Sequence, residues 1–187
     1  TNLINLSIET SHVPSSFKIA AVSPLLKKKD ADQNDLQNYR PVSNLPFISK
    51  ILEKVILSLY NDHKSHNNLA GEFQSAYRKH HSCETALLRI NNDVLKTLDK
   101  KSCCFLVLLD LSAAFDTVDH PILLKCLADH YGVTGKAHEW FCSYLTDRKQ
   151  FVTIKGSHSK ELLQHCNVPQ GSVLGPTLFS DYIAPLA

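Results

Sequence analysis

The sequence predicts an α+β fold, in which strands and helices are mixed without regular βαβ alternation. Three observations carry that prediction. Apolar residues recur at helical spacing over 48–59 and again over 87–98. A continuous apolar run, CCFLVLL at 103–109, has the length and composition of a strand buried on both faces. Two short β-type segments between Phe151 and Cys166 flank a Gly156-Ser157 turn. With 187 residues, 43% of them hydrophobic, the chain suits one domain, or one part of a larger domain, with a real core.

The elements follow in order. The stretch to about Ser16 has weak periodicity and stays unassigned. Residues 17–26 (FKIAAVSPLL) are apolar and short; Lys27, Lys28 and Lys29 and a polar segment to Asn38 separate them from Tyr39-Arg40-Pro41-Val42. Two extended pieces joined by a polar loop fit this pattern, each proline marking an edge or irregular position. Ile48, Ile51, Leu52, Val55, Ile56 and Leu59 make one face of a helix, with Lys50, Glu53 and Lys54 falling between them. A second helix runs from Ser82, its cap, to about Leu98; Glu84 lies in its first turn and Leu87, Ile90, Val94 and Leu98 form its stripe. Pro121 starts a third behind Asp119 or His120 as cap. A fourth spans about 136–145 and buries Trp140, Phe141 and Tyr144, and the last, after Gly171, carries Leu178, Phe179 and Tyr182.

The totals exclude several classes. A net charge of +2 does not by itself announce a nucleic-acid binder, so charge placement carries more weight than the sum. No apolar run approaches the roughly 18 residues of a membrane span. No basic segment followed by an apolar core marks a secretory signal. The chain starts at Thr1 and contains no methionine, which fits an excerpt of a longer reading frame or a broken gene. Six cysteines at irregular spacing, without a Cys-x-x-Cys pair, read as reduced thiols of an intracellular protein; His80, His81 and Cys83 lack a second half-site for zinc.

Asp110 is the most informative single position. A carboxylate ending a buried strand needs compensation, because an isolated buried charge costs several kcal/mol. A turn cap and a bound divalent cation both answer that need.

The neighbouring residues bear on the choice. Residues 109–120 (LDLSAAFDTVDH) resemble motif A of reverse transcriptases of the long-interspersed-element, non-LTR, jockey-like type, and 168–179 (VPQGSVLGPTLF) resemble their motif B. Residues 38–43 (NYRPVS) and 74–78 (QSAYR) resemble two fingers blocks of the same family. The four blocks stand in the family's order and organise nearly the whole chain beyond Phe17. The resemblance implies a partial right-hand polymerase fold within 1–187, with fingers over about 17–100 and an incomplete palm over about 101–187.

It also implies an RNA-directed DNA polymerase, a nucleotidyltransferase using Mg2+ (Mn2+ possible), RNA template, DNA primer and deoxynucleoside triphosphates. By the same resemblance, Asp110 and the Leu111 carbonyl are metal ligands, with Asp110 catalytic. Asp116 and Asp119 are helix caps rather than ligands. Phe115, five positions after Asp110, is a steric gate against a ribose 2′-hydroxyl, or else a core ring. Arg40 contacts the triphosphate, joined by Lys27 or Lys28, although each lysine reads equally as a solvated loop residue. Gln170 and Gly171 lie under the nucleotide's sugar and the template base. Arg78, Lys79 and His80, and separately Arg148 and Lys149, are candidates for template phosphates, with solvated surface as the competing reading for each.

The match has gaps. The aromatic-Asp-Asp hairpin (motif C) and the thumb are absent, no Asp-Asp pair occurs, and Asp181 belongs to the motif B helix. With one metal-binding carboxylate the chain alone is expected to be inactive, and its 103–109 strand to present an uncovered edge. Asn167 stands where the family often has glycine and Cys83 where threonine is common, as in a drifting copy. In a complete copy the enzyme would prime from nicked target DNA and reside as a nuclear and cytoplasmic ribonucleoprotein. The alternatives are a non-catalytic nucleic-acid-binding remnant, a domesticated module or a transcribed fossil. Oligomeric state and target site are not legible.

Overall fold

The computed structural model describes residues 1–111 and 113–186. A mixed sheet and a set of helices make the body. Strands β1 (Ile19–Leu26) and β2 (Tyr39–Asn44) form the expected antiparallel pair, in register from Ala21↔Asn44 to Leu26↔Tyr39. Strand β3 (Arg148–Ile154) runs parallel to β1 from Ile19↔Lys149 to Val22↔Val152. Pro24 and Pro41 face each other beyond that stretch, where β1 has no β3 partner to receive a donor. Strands β4 (Ser157–His158) and β5 (Leu162–Gln164) both pair antiparallel with β3. The β3–β4 turn has positive φ at Lys155 and Gly156, the backbone of a tight two-residue hairpin.

Helix α2 (Phe47–His66) carries the predicted stripe, but its buried line is Ser49, Leu52, Glu53, Ile56 and Tyr60. Ile48 and Leu59 lie on the exposed side. Helices α4 (His120–Asp129) and α5 (Gly135–Leu145) form where expected: Asp119 Oδ1 accepts the Ile122 N–H at 2.9 Å, and α5 buries Trp140, Phe141 and Tyr144. Helix α6 (Gly175–Ile183) closes the body, with Leu174 and Leu178 fully buried. The side chains of α2, α4, α5 and α6 form one core, in which Trp140 stacks on Tyr144 at 5.4 Å and Tyr60 meets Phe141 edge-on at 5.6 Å.

Helix α1 (Asn2–Glu9) had no sequence signal, for a physical reason. Its one buried residue is Ser7, Leu3 and Leu6 are exposed, and Ile4 and Ile8 alone pack half-buried on the core, so the apolar stripe is too short to read. Polar groups join that contact: Ser7 Oγ accepts the Trp140 indole N–H at 3.1 Å, and Ser11 Oγ donates to the Lys136 carbonyl at 3.0 Å.

Two expectations need correction. Helix α3 (Cys83–Asp99) forms behind a Ser82–Thr85 capping box, but it has no buried residue and its Leu87, Ile90 and Leu98 stripe is exposed. The run 103–109 forms no strand and is not buried: Phe105 is 91% and Leu109 89% exposed. A strand requires a ladder partner and cover on its faces, and among the described residues no strand pairs with this run. The premise that Asp110 ends a buried strand therefore fails with it.

An exposed apolar run with unpaired backbone favours self-association. Replacing Phe105 and Leu109 together by lysine is expected to change unfolding free energy by less than about 0.5 kcal/mol. The same change should reduce oligomers in sedimentation velocity; an unfolded double variant would show that the run is packed after all.

Candidate functional site

The site is built where three distant segments meet through backbone hydrogen bonds. The loop before α4 turns at Ala113, whose carbonyl accepts the N–H of Asp116 at 2.8 Å. Past that turn, Phe115 and Val118 offer carbonyls that accept the N–H groups of Val168 and Asn167, each at 2.9 Å. Asp119 and Cys166 extend the same antiparallel contact. One step further, the N–H of Ser43 on strand β2 donates to the Gln170 carbonyl at 2.8 Å. Strand β2, the loop before α4 and the segment 166–170 are thereby held together.

Gly171 is the pivot of this junction. Its φ is +126°, and a Cβ built on it would lie 2.5 Å from the Ser43 carbonyl oxygen. Only glycine fits both the backbone angle and the approach. Asn167 has φ +101°, which explains in backbone terms why glycine suits that position. Its amide is partly used, Nδ2 donating to Gln164 Oε1 at 2.9 Å, while Oδ1 is buried without a partner among the described residues.

Phe115 is partly buried, its ring 5.1 Å from that of Phe179 on α6. Gln170 is half-buried beside the Ser43 contact. Arg40 is exposed on β2 opposite Leu25, and Lys27 follows β1 opposite Asn38, so the two are diagonal neighbours on one face of the hairpin. The Lys27 ammonium donates to the Gln37 carbonyl at 2.7 Å.

Other predicted residues lie apart from the junction. Arg78 Nη1 donates to the Gly71 carbonyl at 3.1 Å and Lys79 is exposed. Among the described residues no hydrogen bond joins 71–102 to the sheet or to the helices of the core. Arg148 cannot grip a template phosphate: it is buried, with Nη1 donating to the Tyr144 carbonyl at 3.0 Å and its guanidinium over the Tyr144 ring. Lys149 pairs with Glu161 at 3.2 Å. Asp119 caps α4 as expected, whereas among the described residues Asp116 is held through its backbone, its N–H donating to the Ala113 carbonyl and its carbonyl accepting from the Cys166 thiol.

Asp110 and Leu111 are exposed, and Ser112 lies outside the described residues. Among the described residues no group of three or more His, Cys, Asp or Glu side chains could hold a metal ion. One carboxylate and one carbonyl fall short of a magnesium site, so the residues brought together here do not fit the ion on their own. Asp181 is no substitute: Lys64 pairs with it at 3.1 Å and the Tyr60 hydroxyl donates to it at 2.8 Å. Burial first, and then the Asp181 charge, push the Tyr60 phenol far above its ordinary pKa.

A family model described as reverse transcriptase (RNA-dependent DNA polymerase) matches residues 26–187. The chain belongs to the reverse transcriptase family. Its relatives among curated proteins are polymerases of non-LTR retrotransposons. The probable RNA-directed DNA polymerase from transposon BS of Drosophila melanogaster is 31% identical over 98% of this chain and 20% of its own length. The RNA-directed DNA polymerase from mobile element jockey of Drosophila funebris is 32% identical over 98% of this chain and 20% of its own length. The Pol polyprotein from the type-1 element R2 of Popillia japonica is 24% identical over 96% of this chain and 24% of its own length. The chain thus spans about a fifth of the length of these curated relatives. No helix among the described residues is long and apolar enough to cross a membrane.

One residue of the site escaped the sequence reading. Glu53 was placed among the charges between apolar positions, yet it is 1% exposed. The signal was present: Ser49, Leu52, Glu53, Ile56 and Tyr60 sit at i, i+3, i+4, i+7 and i+11, one helix face.

Two substitutions test the junction. Gly171→Ala is expected to destabilise by about 3 kcal/mol through the clash and the positive φ. Asn167→Gly is expected to stabilise by about 1 kcal/mol by relieving its backbone. Denaturant unfolding measures both, and reversed signs would refute the geometry.

Proposed function

We propose that this chain is the nucleotide- and template-holding portion of an RNA-directed DNA polymerase from a jockey-like non-LTR retrotransposon. The observation carrying this reading is the Ser43–Gln170 hydrogen bond over Gly171, which joins the fingers block to motif B. In this reading 17–100 serve as fingers and 101–187 as an incomplete palm. Arg40 binds the triphosphate through charge-assisted bonds, and Lys27 exchanges the Gln37 carbonyl for phosphate. Gln170 and Gly171 lie beneath the sugar and template base. Phe115, braced by Phe179, stands as the gate against a 2′-hydroxyl. Arg78 and Lys79 meet template phosphates from their separate segment, with salt-sensitive affinity.

Asp110 and the Leu111 carbonyl are what this chain offers toward a magnesium or manganese ion. They do not complete a site, and two-metal chemistry needs more carboxylates than these. The chain alone therefore binds without catalysing. RNA template, DNA primer and deoxynucleoside triphosphates are its proposed partners, in an intracellular ribonucleoprotein.

Titrating the labelled 187-residue chain with dGTP tests the reading. NMR shifts are expected to cluster at Arg40, Gln170 and Gly171, and Arg40→Ala should weaken binding by roughly 10-fold or more. Shifts confined elsewhere would count against the site. Primer extension by the same chain in magnesium should give no product; synthesis would show that the lone carboxylate suffices.

A further inference from the structure

We infer that Glu53 is the positioning residue for the Gln170–Gly171 turn, holding from helix α2 the first amides of the helix that follows it. The N–H groups of Val173 and Leu174 both donate to Glu53 Oε2, at 2.7 and 3.0 Å. The Gly175 N–H donates to Ser172 Oγ at 2.9 Å, and Pro176 has no N–H to satisfy. Three successive donors at the entry to α6 are thus accounted for, two of them by one buried carboxylate oxygen from a distant helix.

The arrangement does more than stabilise an end. Val173 stands two residues after Gly171, and on the other side of the turn Ser43 holds the Gln170 carbonyl. The turn is therefore fixed at both ends, by β2 and by α2, while Gly171 fits only one backbone geometry between them. The other Glu53 oxygen, Oε1, lies 3.3 Å from Ser49 Oγ, whose single proton serves either that oxygen or the Phe17 carbonyl at 3.2 Å. No cation pairs with Glu53 among the described residues. Its charge is met by the amides and by the positive end of α6. A buried carboxylate is a costly way to cap a helix, and what it gains here is a rigid link between α2 and the turn.

The consequence for nucleotide binding rests on the reading of that turn given above; the positioning role does not. Because one oxygen accepts both amides, glutamine reproduces the contact without the charge, and leucine fills the space without an acceptor. Amide hydrogen exchange in the 187-residue chain is the test. In the unaltered chain Val173 and Leu174 should exchange slowly. Glu53→Leu should speed both by at least about 10-fold, Glu53→Gln by less than about 3-fold, with Leu127 and Leu145 unchanged in each. Fast exchange at Val173 and Leu174 in the unaltered chain would overturn the inference even if Glu53→Leu fails to fold. Equal protection in the leucine and glutamine variants would overturn it too. A dGTP titration of the same variants separates the two readings. Loss in Glu53→Leu with retention in Glu53→Gln supports both. No dGTP binding by any form, with the exchange pattern intact, removes the nucleotide reading and leaves the positioning role standing.

Discussion

A single backbone contact constrains the rest of this molecule. The Ser43 N–H can reach the Gln170 carbonyl only because the next residue has no side chain, since any Cβ at Gly171 would meet the Ser43 carbonyl oxygen. From that approach follow the positive φ at Gly171, the cover over the β2 edge at Ser43 and the path of the chain into α6. It also sets which surfaces neighbour one another. The hairpin carrying Arg40 and Lys27 is tied to the turn carrying Gln170, and that turn is tied through Val168 to the loop carrying Phe115.

Such a contact holds only if its flanks are rigid. Polar groups supply that rigidity across the core: Glu53 from α2 on the start of α6, and Lys64 and Tyr60 from α2 on Asp181 near its end. Each removes a carboxylate from water, at a cost of several kcal/mol before its partners are counted. Apolar burial of Leu52, Ile56, Leu174 and Leu178 in one shared core supplies the driving force, at about 1.5–3 kcal/mol for each fully buried side chain. The polar pairs fix direction and register, which apolar contact alone leaves free. By contrast the 71–111 excursion, with its exposed α3 and exposed apolar run, shares no such link among the described residues, and Asp110 lies in it.

What was legible in the sequence was local. The 3.6-residue stripe of α2, the Ser82 and Asp119 caps and the Gly156 hairpin depend on neighbours a few residues away, and all are present. What was not legible depended on partners far along the chain. The 103–109 run has the composition of a buried strand, but burial requires a ladder that no described strand provides. Glu53 looked like a surface charge until the amides of Val173 and Leu174, 120 and 121 positions away, were placed on it. Helix α1 docks through Ser7 and two half-buried isoleucines, Ile4 and Ile8, too short a stripe to leave a clear hydrophobic trace. The segments NYRPVS and VPQG, singled out by their resemblance to family blocks, meet in the structure, and the reason they meet lies in Gly171 and Ser43.

The most direct test of this account is a through-hydrogen-bond scalar coupling between the Ser43 amide nitrogen and the Gln170 carbonyl carbon in the isotopically labelled chain. A resolved coupling, with slow exchange of the Ser43 amide, is the predicted result. Rapid exchange of that amide and no coupling would mean that β2 and the Gln170–Gly171 turn do not meet as described, and the site built on their contact would fall with it.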